Sequence, residues 1–324
     1  MTDLSVVADI GGTNTRVALA HGARVDPGSI VRFRNAEHAD LTEVLTRYLG
    51  DRDARPASAC VAMAGPVRDG VGRLTNLAWT VDRAVVSEAT GASTVAVLND
   101  LQAQGHAVDH LTAEVLDEIA TGDPSSDHAA KLVVGVGTGL NAAPVFRLDG
   151  RTLVPPAEAG HTALPVQTAA DLRLRDWLID THGSAGAEEA LSGRGFERIH
   201  AWLCHEDSTG EPLDAAAIMQ AAETGDPRAV RTMEIFATLL GRMVGDLALT
   251  LLPFGGIYLC GGVARHFGPH LARLGFLDAF ADKGRFAAFM AQFPIRMITD
   301  DYAALTGSAA HLAELTGAAG PATA

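Results

Sequence analysis

The residues of this chain that could do chemistry are carboxylates and amides set beside glycine turns. In the N-terminal stretch ADIGGTNTR an apolar run, Val6–Ala8, stops on Asp9. Gly11, Gly12, Thr13 and Asn14 follow, and apolar alternation resumes at Val17. Gly-Gly between two strand-like runs is a hairpin signal. A hairpin alone, however, needs neither an acid before it nor a hydroxyl and an amide after it. An anion site uses all of them. Glycines let backbone N–H groups approach a phosphate closely, and Thr13 and Asn14 add donors. The Asp9 carboxylate could hold a hydrated cation beside the phosphates. On these residues alone the phosphate loop and the structural turn both stand.

Two further glycine turns close apolar runs. GVGTGLN lacks the Gly-Lys-Ser/Thr of a P-loop, and its final position fails the G-x-G-x-x-G pattern. What remains is Gly137-Thr138-Gly139 in a turn after a strand. The run IYLC ends on Gly261-Gly262. Asn99-Asp100 ends the apolar run TVAVL, and carboxyl ends of strands face the ligand crevice in open α/β sheets. A catalytic carboxylate at Asp100 competes there with a helix N-cap, which Asp also suits. In PPAEAGHTALP, Glu158 and His161 sit in a loop that prolines keep from being helical. Metal ligation by the pair lacks a third ligand at suitable spacing, and a solvated Glu and a surface His are the plain alternative. Glu188 reads as a first-turn acid of a helix.

Elements must hold these groups. Strand-like runs at Val6–Ala8, Arg16–Ala20 and Ser29–Arg34 precede a helix near Leu41–Leu49. SACVAMAGPV is a further strand closed by Gly65-Pro66, GRLTNLAWTV a polar hairpin, and a short helix lies near Arg83–Ala89. Continuous apolar runs followed by helices indicate a sheet covered on both faces. TGDPSSDHAAK is a polar loop and a plausible domain junction. KLVVGVGTGLNAAPVFRLDG restarts the β pattern, and Ala169 to about Leu252 is mainly helical. Met233, Phe236, Leu240, Val244, Leu247 and Leu251 share one stripe of that region. PIRMITDD is a last strand and Ala303–Leu315 a last helix, with GAAGPATA as a disordered tail. Strand followed by an Asp- or Gly-rich turn recurs at 6–13, 132–139 and 257–262. Two such α/β domains, turns facing each other, would clamp a nucleotide, although no residue-by-residue repeat accompanies them.

Bulk properties narrow the field. A chain of 324 residues suits two domains sharing a cleft. With 48% hydrophobic residues it has ample core, and a net charge of −14 argues against a nucleic-acid or anionic-membrane surface. That charge still permits a nucleotide, because glycine loops bind phosphate through backbone dipoles. Cys60, Cys204 and Cys260 form no C-x-x-C pair and are expected as reduced, buried thiols of a cytoplasmic protein. With the first strand starting almost at once, no charged-then-apolar signal segment is expected. The apolar stretch 239–252 carries Arg242 and Asp246 and reads as a buried helix.

The pieces ADIGGTNTR, TNLAWTV, LND, GVGTGL, EAGH, AEEALSG, YLCGGVARHF, FADKGRF and LTGSAAHL occur in one order across nearly the whole chain. That ordered set resembles the bacterial glucokinases of the hexokinase/actin-like ATPase superfamily. The cysteine-rich zinc motif of the related repressor and sugar-kinase group is absent, which places the resemblance with the zinc-free glucokinases. The resemblance implies a two-domain actin-like, ribonuclease H-like α/β fold with a ligand cleft. The small domain would comprise 1–110 plus 301–324, the large one 111–300. Asp9, Gly11, Gly12, Thr13 and Asn14 match the first phosphate loop, Gly137, Thr138 and Gly139 the second, and Gly261 and Gly262 the adenosine side. Asn99, Asp100, Glu158, His161 and Glu188 match the sugar-contacting residues, with Asp100 as catalytic base and Asn76 near the sugar pocket. ATP with Mg²⁺ near Asp9, no directly ligated metal, glucose or a related hexose and a homodimer are what this implies.

The chain departs from the family pattern at Asn141, usually glycine, where the side chain could crowd nucleotide or sugar. It departs again at Arg194, usually proline. The expected activity is ATP-dependent phosphorylation of glucose at its 6-hydroxyl. The rivals are a kinase for another aldohexose or aminosugar, and a sugar-sensing regulator that kept the fold.

Overall fold

The computed structural model describes residues 4–74 and 79–317. The chain divides into two units: Met1–Val115 with Val145–Pro156 and Asp300–Ala324, and Leu116–Pro144 with Ala157–Thr299.

In chain order the first unit opens with β1 (Leu4–Ile10), β2 (Asn14–His21), β3 (Arg24–Val25), β4 (Val31–Arg34) and α1 (Leu41–Gly50). It continues with β5 (Ser58–Met63), β6 (Val67–Arg68), β7 (Val71–Arg73), β8 (Thr80–Asp82), α2 (Arg83–Thr90), β9 (Thr94–Asn99) and α3 (Asp100–Ala107). The main sheet runs β3-β2-β1-β5-β9, with β4 also on β2. β1 and β2 form an antiparallel hairpin, whereas β1, β5 and β9 are parallel. All six residues of β5 are buried, as a central parallel strand covered on both faces requires. Alternation divides the core in two. Val6, Ala8 and Ile10 pack with Leu41, Leu45 and Tyr48 of α1. Val7, Ala62, Ala96 and Leu98 pack on the other face with Ala103 of α3.

The second unit begins with β10 (Leu116–Ala120), β11 (Lys131–Val136) and β12 (Leu140–Leu148). The far half of β12 and its hairpin partner β13 (Arg151–Leu153) group with the first unit. Then come α4 (Ala169–His182), α5 (Ala187–Ala190), α6 (Gly193–Asp207), α7 (Ala215–Glu223) and α8 (Pro227–Leu251). β14 (Ile257–Cys260), α9 (Gly262–Phe267), α10 (Phe276–Ala281) and β15 (Ile295–Ile298) complete it. Its sheet runs β10-β15-β14-β11-β12, with β15, β14 and β11 parallel. The last helix, α11 (Ala303–Thr316), belongs to the first unit and packs Leu305, Ala309 and Leu312 into the face that carries Val7.

The helical stripe expected around 233–251 is the buried face of α8, with Met233, Phe236, Leu240 and Val244 in the core. Arg242 inside it is buried and ion-paired with Asp171 at 2.6 Å. No helix among the described residues is long and apolar enough to cross a membrane. The three cysteines are buried and none is in a disulfide, and burial pushes the Cys60 thiol up to about 12. The tail at 318–324 lies outside the described residues.

Candidate active site

The N-terminal glycine turn is a hairpin, but the hairpin backbone does not require glycine at Gly11. Gly11 N–H donates to the Asn14 carbonyl at 3.0 Å. Gly11 has no left-handed φ, and a Cβ on it would meet its nearest atom, the Asn14 carbonyl oxygen, at an ordinary 3.4 Å. The turn is stitched from below by Asn35, which is buried. Asn35 Nδ2 donates to the Gly11 carbonyl at 2.8 Å, its backbone N–H donates to the Thr13 carbonyl at 2.9 Å, and its Oδ1 accepts from Thr15 Oγ1 at 2.8 Å. With those carbonyls held inward, Gly12 and Thr13 are left exposed. Asn35 was not among the expected site residues; it stands 21 positions after Asn14 in sequence, and no local pattern marks it.

Asp9 lies one residue before the end of β1, opposite Arg16 in the hairpin register. Arg16 Nη1 reaches its Oδ2 at 3.2 Å. Burial raises the Asp9 pKa above the usual carboxylate value, and the Arg16 charge and hydrogen bond oppose that rise. The arrangement keeps a guanidinium and a carboxylate together at the carboxyl end of the strand.

Ile10, Met63 and Asn99 stand in register across β1, β5 and β9, so Asp100 emerges at the same sheet end as the glycine turn. Two strand spacings, roughly 10 Å, separate β1 from β9. The N-cap of α3 is Asn99 rather than Asp100. Its Oδ1 accepts from Leu101 N–H at 2.9 Å, its Nδ2 donates to the Gly65 carbonyl at 2.9 Å, and Gln102 Oε1 accepts from its own N–H at 3.1 Å. This is a capping box, and it corrects the alternative in which Asp100 serves as cap. Asp100 occupies the first helical position, where the dipole favours a negative charge, with Oδ1 accepting from Leu101 N–H at 2.8 Å. Gln102 extends the chain of bonds by donating to the Val154 carbonyl at 2.8 Å. Asn76 lies outside the described residues.

In the second unit the other expected groups gather at the ends of β11 and β14, which are parallel neighbours with Gly135 opposite Cys260. Gly137 N–H donates to the Gly139 carbonyl at 2.8 Å, closing the turn, and Gly193 N–H at the start of α6 donates to the Gly137 carbonyl at 2.8 Å. Gly262 N lies 4.0 Å from where a Gly137 Cβ would stand. Phe196 of α6 and Phe267 of α9 meet edge to face at 5.1 Å, and Phe236 of α8 closes the cluster. That aromatic contact holds together the two helices whose first residues border the Gly137 turn. Gly261 has φ +97°, and a methyl there would overlap the Val136 carbonyl, so this glycine is required by the fold. Gly262 has nothing within 4 Å of a Cβ.

Glu188 does not behave as a plain first-turn acid. Its Oε2 accepts from Leu140 N–H at 3.0 Å and covers Gly139 so closely that a Cβ there would collide with the carboxylate. Arg194 Nη2 approaches Oε1 at 3.3 Å. Glu158 and His161 are both exposed on a single 3₁₀ turn, Ala159–His161. Ala187 N–H donates to the Thr162 carbonyl at 2.8 Å, tying that turn to the start of α5, which carries Glu188. Glu158, His161, Glu188 and the Gly137–Gly139 turn thus form one connected patch. The Asn141 amide is bonded to the loop at 157–159 and to Ala142 N–H. Among the described residues no group of three or more His, Cys, Asp or Glu could hold a metal ion.

The glucokinase family model matches residues 6–315. A glucokinase of Nitrobacter hamburgensis is 35% identical over 314 residues, 95% of this chain and 97% of that one. A glucokinase of Brucella abortus is 34% identical over 94% of this chain and 90% of its own length. The crystal structure of glucokinase from an Antarctic psychrotroph superposes with a TM-score of 0.86 at 30% identity, covering 97% of this chain and 100% of that one. The chain therefore belongs to the glucokinase family, enzymes that phosphorylate glucose.

Proposed function

We propose that this chain transfers the terminal phosphoryl group of ATP to the 6-hydroxyl of D-glucose, with Asp100 as the base. Family membership over nearly its full length supports glucose as the acceptor. The observation that carries the donor side is the set of glycines the fold does not need. Gly11, Gly137 and Gly262 have ordinary φ and room for a methyl group. A ligand approaching the backbone gives a reason for glycine that packing does not. The donor set therefore fits a phosphate chain: exposed turn backbone, Thr13 and Thr138 hydroxyls, and the Asn14 amide.

Phosphoryl transfer proceeds through a loose transition state and needs positioning and charge neutralisation more than covalent chemistry. In this reading Asn99, Glu158, His161 and Glu188 would hold the sugar, each pairing with a hydroxyl that water would otherwise satisfy. Asp100 would orient the 6-hydroxyl and accept its proton late, as the bond to phosphorus forms and the hydroxyl becomes acidic. The capping box fixes the start of α3 and so the origin of the Asp100 side chain. Mg²⁺ arriving with ATP would neutralise phosphate charge, with Asp9 the nearby carboxylate and water supplying most ligands. Exclusion of water from the bound substrates would limit ATP hydrolysis. The same reading makes the protein a cytoplasmic homodimer acting at the first step of glycolysis.

A coupled assay with ATP and glucose, mannose, galactose and fructose tests it. Efficiency highest on glucose is expected. Preference for another hexose or an aminosugar would favour the first rival, and sugar binding with no turnover would favour the regulator.

A further inference from the structure

Asn141 is the second residue of β12, just after the Gly137–Gly139 turn, and its Oδ1 accepts from the neighbouring Ala142 N–H at 2.8 Å while the rest of its bonds go to one loop. Nδ2 donates to the Ala157 carbonyl at 2.7 Å, and Oδ1 accepts from Ala159 N–H at 2.9 Å. Those two residues flank Glu158. The amide therefore brackets the Glu158 backbone as a neighbouring strand would, with one donor and one acceptor. Glu158 needs such a bracket. Its φ of −129° and ψ of 59° lie outside the helical and extended regions. Below the bracket the loop is in close contact with the same strand, since a methyl group on Gly160 would overlap the Leu140 carbonyl. Asn141 thus supplies one side-chain bond on each side of the exposed carboxylate, and Thr162 Oγ1 adds another by donating to the Ala159 carbonyl at 2.7 Å.

We propose that Asn141 is a positioning residue for hexose recognition: its amide sets the direction in which Glu158 presents its carboxylate, and thereby sets affinity and selectivity for the sugar. This rests on the reading of Glu158 as a sugar-contacting group. Asn141 touches neither substrate in this scheme. A site built to hydrogen-bond a hydroxyl discriminates only when its acceptor is held in place, and the bracket is what holds it. A side chain of hydrogen at position 141 would leave the Ala157 carbonyl and Ala159 N–H to water and free Glu158 to take other backbone conformations.

The test is a double-mutant cycle between Asn141→Gly and Glu158→Gln, read as glucose KM, ATP KM and kcat, with thermal melts as the folding control. Asn141→Asp joins the set, because it keeps size and the acceptor while losing the donor to Ala157. In the parent, Glu158→Gln is expected to raise glucose KM roughly tenfold or more. Asn141→Gly is expected to raise glucose KM by a similar factor, to leave ATP KM within about threefold, and to narrow the glucose-to-mannose ratio. In the Asn141→Gly background Glu158→Gln should then cost much less than in the parent, as coupled neighbours do. Asn141→Asp should raise glucose KM as well. A silent Glu158→Gln in the parent would overturn the sugar-reading role of the loop itself. A strong Glu158→Gln effect that simply adds to that of Asn141→Gly, or Asn141 variants that shift ATP KM as much as glucose KM, would overturn the positioning role while leaving that reading intact.

Discussion

Gly307 of α11 lies against Ala103 of α3 so closely that a methyl group at position 307 would overlap the Ala103 carbonyl and crowd the Ala107 N–H. Both helices belong to the first unit, and α3 begins at Asp100. The position of the proposed base along its sheet edge therefore depends on a glycine more than two hundred residues away.

Gly307→Ala is expected to push α3 off its seat. An overpacked contact of this kind costs about 1–3 kcal/mol, and the displacement should also lower kcat on glucose while ATP KM moves little. Denaturant midpoints and steady-state kinetics on the same preparation check both. A variant as stable and as active as the parent would show that the helix contact does not set the base.

The same helix pair supplies a pH dependence. His106 of α3 is buried beside His311 of α11, ring centroids 4.4 Å apart. Burial, then the nearby His311 and His110, lowers the His106 pKa to about 3 from an ordinary 6.5. Burial lowers that of His311 as well, with Glu314 opposing and Arg83 adding to the shift. The folded state holds these rings neutral while the unfolded chain protonates them below about 6.5, so their contribution is present above that pH and is lost as pH falls toward 3. For His106 alone the loss at pH 5 is roughly 2 kcal/mol. Urea midpoints at pH 7.5 and pH 5 should differ accordingly, and His106→Leu should flatten the difference. An unchanged pH dependence in that variant would remove His106 as its source.

Gly11→Ala separates fold from function at the first turn. The conformation is open to alanine, and the substitution lowers the entropy of the unfolded chain, so stability should hold or rise by about 0.4–1 kcal/mol. ATP KM should nevertheless rise several-fold, because a methyl group would stand where phosphate approaches. Unaltered ATP kinetics in a stable variant would take the turn out of donor binding.

Glu188 and Arg194 should differ sharply although they touch. Their mutual contact is partly exposed and worth about 0–1 kcal/mol, so Arg194→Ala should be close to neutral in thermal melts. Glu188→Ala strips the acceptor from Leu140 N–H and opens space over Gly139, with an expected cost of about 1–3 kcal/mol and raised KM for glucose. Equal effects of the two substitutions would show that the ion pair, not the backbone bond, is what matters at Glu188.

What could be read from the sequence was local or periodic. The β1–β2 hairpin, the apolar β5 and β9 and the stripe of α8 follow from alternation and helical spacing. The exchange of cap between Asn99 and Asp100 shows the limit of that reading, since both side chains cap well and helix starts shift by a residue. The rest depends on distant partners. Asn35 holds the Gly11–Thr15 turn, Glu188 lies on Gly139, and Asn141 brackets Glu158, each across 16 to 49 positions of chain. The grouping of Val145–Pro156 with the first unit likewise rests on contacts such as that of Gln102 with Val154, and neither residue's own neighbourhood announces it.

The most direct test of the proposed chemistry is the turnover of Asp100→Asn with saturating ATP and glucose, measured beside glucose binding by titration calorimetry. The amide keeps the shape and hydrogen-bonding reach of the side chain but cannot take the proton. The expected result is a folded variant that binds glucose within a few-fold of the parent and loses roughly 10²–10⁴ in kcat, the usual worth of a general base. Near-parental kcat in that variant would contradict the assignment of Asp100 as the base.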